Sequence, residues 1–119
     1  MIAVFDTNIL IDYLNGENRA KEEIAKYSQI AISIITYMEV MVGIQDEHKK
    51  EVEKFLGGFQ LFNFDEKMAN EIIEIRKTLK IKLPDAIILA TARKNKAILV
   101  TRNSKDFAKN KEVVIPYKI

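Results

Sequence analysis

The chain has no cysteine and no tryptophan, one histidine, two prolines and four glycines in 119 residues. Without cysteine there can be no disulfide, no zinc–thiolate site and no cysteine nucleophile. The single His48 lies in the charged run 46–53, which reads as a solvated helix face. That placement argues against Ser-His-Asp chemistry and against paired-histidine ribonuclease chemistry. Long apolar runs are missing too. The longest, 30–44, contains Glu39 and is too short to span a bilayer. The apolar start 1–5 has no basic segment before it and is broken at once by Asp6, unlike a secretory signal. The scarcity of proline and glycine leaves no linker, repeat or low-complexity segment. A single domain without a membrane span, located in the cytoplasm, is expected.

Charge is abundant but uneven. Residues 1–75 carry 7 basic and 14 acidic side chains, net −7, and residues 76–119 carry 12 and 3, net +9. Such asymmetry suits an anionic partner held near the C-terminal half.

Periodicity gives alternating strands and helices. Residues 2–5 form a continuous apolar run, as in a strand buried on both faces. A short helix follows over 7–14, and a second over 17–27 with Ala20, Ile24 and Tyr27 on one face. A second buried strand is expected at 30–34, helices at 36–43 and 46–56, and an aromatic-rich strand at 60–64. Met68, Ile72, Ile75 and Leu79 mark a helix over 65–80. Residues 84–95 form a helix that is apolar nearly all round, hence buried. The pattern closes with a strand at 98–101, a helical turn at 104–108 and a strand at 113–115. Alternation of this kind predicts an α/β fold with a mostly parallel sheet of about five strands and helices on both faces. Such sheets bind ligands beyond the carboxyl ends of their strands. Asp6 follows the first strand directly, Glu39 lies one helical turn after the second, Asn103 and Asp106 follow the fourth, and Asp85 opens the buried helix.

Each acid has a structural explanation. Asp6 can cap the helix 7–14. Thr36 and Glu39 match a capping box. Asp85 follows Pro84 in a first helical turn, where the helix dipole favours negative charge. Capping does not explain why all of them reach one sheet edge, or why Asp6, Glu39 and Asp85 sit among apolar neighbours, where a carboxylate is costly unless paired or metal-bound. Glu22, Glu23, Glu51, Glu53, Glu71 and Glu74 instead lie on polar helix faces and are expected to be solvated. Carboxylates gathered from separate segments suit a hard cation with oxygen ligands, Mg²⁺ or Mn²⁺. The residues therefore point to a metal-dependent hydrolase.

Phe5-Asp6-Thr7-Asn8-Ile9-Leu10, the central Glu39, Leu83-Pro84-Asp85-Ala86-Ile87-Ile88-Leu89-Ala90-Thr91-Ala92 and Val100-Thr101-Arg102-Asn103-Ser104-Lys105-Asp106-Phe107, in that order, resemble a PIN domain. The small size resembles the VapC-type toxins of toxin–antitoxin pairs. The resemblance covers the whole chain and implies a three-layer fold with sheet order 3-2-1-4-5, a Mg²⁺ or Mn²⁺ site, ribonuclease activity on RNA, a homodimer and a small cognate antitoxin. It implies Asp6, Glu39 and Asp85 as metal ligands and catalytic acids. The family usually carries a fourth acid just after strand four, in the pattern T-x-D. Asn103 stands there in this chain, so the fourth role falls either to Asp106 or to Asn103 holding a water. Asn8 and Thr101 are expected to support the ligands from behind, and Arg93, Arg102 and Lys105 to contact the RNA backbone.

Other readings fit less well. A dehalogenase-type phosphatase needs a second Asp where Asn8 stands, and a receiver-type switch needs an acid at the end of the third strand. A non-catalytic RNA-binding or scaffolding member of the same fold would be expected to have lost a carboxylate, yet all three are present. Val52, Phe55, Leu56 and Phe59 look like more apolar surface than a small core can cover, and suggest the dimer interface.

Overall fold

A computed structural model describes residues 1–107 and 110–118. Five strands form one parallel sheet: β1 (Ile2–Phe5), β2 (Gln29–Ser33), β3 (Gln60–Phe62), β4 (Ile98–Val100) and β5 (Val113–Val114). Their spatial order is β3-β2-β1-β4-β5, as the resemblance implied. The helices are α1 (Thr7–Leu14), α2 (Asn18–Ala25), α3 (Ile34–Val42), α4 (Lys49–Leu56), α5 (Ala69–Leu79), α6 (Leu83–Lys94) and the single turn α7 (Ser104–Phe107). Ala108, which the sequence placed in that turn, lies outside the described residues.

Alternation along the strands sends side chains to opposite faces. Val4, Ala31 and Leu99 join the core under α5 and α6, with Ile72, Ile75 and Ile88. Ala3, Phe5, Ile32 and Val100 join the other core, with Ile9, Leu10, Val52 and Leu56. Phe5 is fully buried there and meets Tyr27 and Phe59 edge-on, with ring centroids 5.8 and 5.9 Å away. Residues 86–92 of α6 are all buried, as the apolar pattern predicted.

Several boundaries differ from the sequence reading. β2 ends at Ser33 rather than residue 34, because the Ser33 side chain accepts from Ile35 N and caps α3 at once. The third strand stops at Phe62 rather than continuing to 64. The helices expected at 46–56 and 65–80 each begin with a 3-10 turn, Asp46–His48 and Glu66–Met68, before the α-helix proper. Glu23 is buried, not solvated: it accepts from the Tyr27 hydroxyl at 2.7 Å and pairs with Lys26 at 2.9 Å. Glu22, Glu51, Glu53, Glu71 and Glu74 are exposed as expected. Val52, Leu56 and Phe59 are buried, and Phe55 stacks on Tyr13 at 4.3 Å, so these aromatics close a core instead of offering an interface. The exposed apolar side chains lie elsewhere. Ile11, Met38 and Val42 lie on α1 and α3, and Leu61, Ile73 and Leu83 surround β3, α5 and α6.

Candidate active site

Parallel pairing of β1 with β4 brings Phe5 level with Val100, so Asp6 and Thr101 leave the sheet side by side. Asp6 has extended backbone angles and caps α1, with Oδ1 accepting from Thr7 N at 2.7 Å. Its Oδ2 accepts from Thr101 Oγ1 at 2.7 Å and from Asn8 Nδ2 at 3.3 Å. The Thr101 hydroxyl, having given its proton to Asp6, accepts from Asn8 Nδ2 at 3.3 Å and from Asn103 N at 3.0 Å. Asn8 and Thr101 thus stand behind Asp6, where the sequence expected them.

Burial pushes the Asp6 carboxyl up to about 6. The Thr101 bond opposes that rise, and the charges of Asp85 and Glu39 add to it. Asp85, in the first turn of α6, is also raised, first by burial and then by the charges of Asp106 and Glu39, with Lys82 opposing. Like charges raise a carboxyl only from nearby, so Asp6, Glu39, Asp85 and Asp106 lie at the same end of the sheet. Asp85 accepts no hydrogen bond among the described residues, which leaves both its oxygens open.

Glu39 corrects two expectations. It is not at the border of the core but exposed, like its neighbour Met38. It also does not complete a capping box with Thr36, because α3 begins at Ser33. Its Oε1 accepts instead from the Thr7 hydroxyl at 2.7 Å, and Thr7 Oγ1 lies 3.1 Å from Thr36 Oγ1. The sequence reading missed Thr7 and Thr36 in this role. Thr7 could have been found by its place beside Asp6; Thr36 gave no signal beyond its distance from Glu39.

Asn103 and Asp106 work as a pair. Asn103 Oδ1 accepts from Asp106 N at 3.2 Å, and its Nδ2 donates to Asp106 Oδ2 at 2.9 Å. The amide is therefore engaged in holding Asp106, whose charge reaches Asp85.

The three cationic residues part company. Lys105 is exposed on α7 beside Asp106. Arg102 grips Asp12, with Nε 2.7 Å from Oδ2 and Nη2 3.3 Å from Oδ1. The structure does not bring Arg93 to the cleft. It lies at the far end of α6, and eight residues of helix separate it from Asp85 by about 12 Å. Its guanidinium bonds Glu112 and Asn110 at the opposite edge of the sheet. Lys82, the residue before α6, supplies the nearby cation that sequence reasoning missed.

Among the described residues no three acids are already drawn to the spacing of a closed metal cage. The donor set nevertheless suits a hard dication. It is all oxygen and anionic, and it contains one buried carboxyl, Asp6, that a cation would hold ionised.

Comparison with known proteins agrees with this geometry. The PIN domain profile matches residues 3–113. Ribonuclease VapC2 of Rickettsia felis is 30% identical, over 97% of this chain and 96% of its own length. A solved toxin–antitoxin complex from Klebsiella pneumoniae contains a chain 46% identical, covering 98% of this chain and 99% of that one, with a TM-score of 0.93. The VapBC2 complex of Rickettsia felis bound to a promoter DNA fragment contains a chain 27% identical, covering 96% of each, with a TM-score of 0.76. By sequence and fold, this chain belongs to the PIN-domain family.

Proposed function

We propose that this chain is a Mg²⁺- or Mn²⁺-dependent endoribonuclease and the toxin of a toxin–antitoxin pair. The gathering of Asp6, Glu39, Asp85 and Asp106 at one end of the sheet, with Asp6 buried and Asp85 accepting no hydrogen bond among the described residues, is the observation that carries this reading. Carboxylates that raise one another in a partly buried cleft are costly without a cation. Asp6, Glu39 and Asp85 are the ligands we assign, with Asp106 as the fourth acid and Asn103 as the residue that holds it. A bound dication supplies charge neutralisation for a phosphodiester and makes a water acidic enough to attack it.

The chain's own residues do the rest. Thr101 and Asn8 fix the Asp6 carboxylate, and Thr7 fixes Glu39. Lys105 and Lys82 lie at the mouth, where they can hold the RNA backbone. Hydrolysis in this arrangement needs no histidine, and membership of the family implies a 5′-phosphate product. The relatives, a ribonuclease and chains of toxin–antitoxin complexes, support the RNA substrate and a small antitoxin partner.

A groove lined by Ile11, Leu14, Val40, Gly43 and Ile44 leads to Glu39 between α1 and α3. We assign the antitoxin segment to it, with a basic side chain reaching the acids. The homodimer surface moves from the buried aromatics to the apolar face of Phe64, Ile73, Leu83 and Ile87. No helix among the described residues is long and apolar enough to cross a membrane. We read the chain as one domain acting in the cytoplasm.

The test is cleavage of single-stranded RNA with Mn²⁺ or Mg²⁺. Wild type should cut and EDTA should stop it. Asp85→Asn should lose at least a hundredfold, a magnitude at the upper end of ligand-shell effects, without loss of folding. Equal rates for Asp85→Asn and wild type would sink the assignment.

A further inference from the structure

A second buried acid lies in α1, away from the cleft. Asp12 is 6% exposed and sits inside a helix, where an unpaired charge would be strongly destabilising. Its partners come from the other end of the chain. Arg102 clasps both its oxygens, and the Tyr117 hydroxyl donates to Oδ2 at 2.8 Å. The Tyr117 ring is buried and is covered by the Arg19 guanidinium, 4.9 Å from its centroid. Arg19 also donates to Lys118 O at 3.2 Å, which pins the C-terminal segment over α1.

The clasp has a consequence four residues before Asp12 in the chain. With its guanidinium fixed on Asp12, Arg102 directs its own backbone N–H at Asn8 Oδ1, 3.3 Å away. An N–H can be given only to the oxygen of a carboxamide. Asn8 must therefore turn Oδ1 towards Arg102 and Nδ2 towards Asp6 and Thr101, which is the arrangement present. The reverse orientation would set Oδ1 against the Asp6 carboxylate, acceptor against acceptor.

We propose that Asp12, Arg102 and Tyr117 form one positioning unit that fixes which end of the Asn8 carboxamide meets Asp6, and so prepares Asp6 for its cation. The inference rests on the metal-dependent reading above. It assigns the Arg102 guanidinium to Asp12 rather than to RNA. None of the three residues touches the reacting atoms.

The experiment compares wild type with Tyr117→Phe, Arg102→Lys and Asp12→Asn. Tyr117→Phe removes one hydroxyl, and Arg102→Lys keeps the charge but loses the planar fork. Three readouts are taken: Mn²⁺ affinity by calorimetry without RNA, the Asn8 side-chain amide resonances in the metal-free protein, and kcat and KM on single-stranded RNA at several salt concentrations. Mn²⁺ affinity and kcat should each fall about tenfold in Tyr117→Phe and Arg102→Lys, the usual effect of removing support behind a ligand. The Asn8 resonances should move, while KM and its salt dependence stay unchanged. In an Asn8→Ala background, Tyr117→Phe should have no further effect on Mn²⁺ affinity, since both act through one bond.

Unchanged Mn²⁺ affinity and Asn8 resonances with a raised KM and a shallower salt slope would make Arg102 an RNA contact and overturn the proposal. A lowered melting temperature alone would make the cluster a brace, with the same result. If Asp12→Asn does not fold, the two milder variants decide. If wild type neither binds Mn²⁺ nor cuts RNA, the functional reading has failed, and the Asn8 resonances still decide the positioning unit.

Discussion

Thr101 and Asp6, 95 positions apart in the chain, share a hydrogen bond of 2.7 Å at the carboxyl ends of β4 and β1. This donor opposes the elevation of Asp6 by burial. Its hydroxyl is used fully, giving one proton and accepting two. Thr101→Val keeps the shape and removes the donor. The Asp6 carboxyl should then rise above its value of about 6, and the acid limb of the pH–rate profile should shift to higher pH. Cleavage at neutral pH should fall about tenfold. A profile measured at subsaturating Mn²⁺, where the rate reports the metal-free carboxyl, checks this, and an unmoved acid limb would show that the bond does not tune Asp6.

Asp6 also links stability to pH in the metal-free protein. Its carboxyl titrates near 3.8 in the unfolded chain and near 6 in the folded one. The folded state therefore holds the proton more tightly, so the contribution is fully present below the unfolded value and is lost as pH rises through about 6. Asp6→Asn removes that loss and caps α1 as well as Asp does. The amide cannot accept the Thr101 proton at Nδ2, which offsets part of the gain. Urea unfolding in EDTA should show Asp6→Asn more stable than wild type at pH 8 by about 1 kcal/mol, with the gap closing by pH 4. A wild type at least as stable at pH 8 would contradict the assignment.

The cationic residues separate by position. Lys105 is exposed and adjoins Asp106 in the chain, and Arg93 lies at the other edge of the sheet with its charge spent on Glu112. In an Asp85→Asn background that binds RNA without cutting, Lys105→Ala should weaken binding and reduce the log–log salt slope by about 0.7, one phosphate of a single strand. Arg93→Ala should change neither. Filter binding from low to high salt measures both, and a loss confined to Arg93→Ala would reverse the placement of the RNA.

The strands and the acids at their ends were legible because β1 is an unbroken apolar run stopped by an acid, and α6 is apolar all round behind Asp85. Other features were not. The stretch Ile30–Ile35 is apolar except for Ser33, so its periodicity cannot say where strand becomes helix, and the Ser33 hydroxyl had to be seen capping α3. Glu23 and Asp12 look like solvated helix acids. What buries them is a tyrosine one turn away in the first case, and Tyr117 and Arg102 from across the chain in the second. Arg93 and Arg102 look alike as flanking cations, and only the helix length and the Asp12 clasp distinguish them.

The last prediction concerns the groove between α1 and α3. Ile11 is 40% exposed and Val42 91% exposed, and the groove between these helices ends at Glu39. An apolar partner segment lying there gains by covering this surface, and a basic side chain at its end gains from the acids it approaches. Ile11→Asn places a polar, uncharged side chain on the apolar wall, at a residue that is not itself assigned to catalysis, and Ile11→Asp adds a charge there for comparison. RNA cleavage should be unchanged in Ile11→Asn, while affinity for the co-expressed antitoxin should fall at least about tenfold, as expected when 1–3 kcal/mol of apolar burial is lost. Mn²⁺ should compete with the antitoxin in wild type, because both are drawn to the same carboxylates. Titration of the antitoxin into the purified protein, with and without Mn²⁺, reads both effects. Full affinity in Ile11→Asn would place the partner elsewhere, and indifference to Mn²⁺ would separate its basic side chain from the cleft.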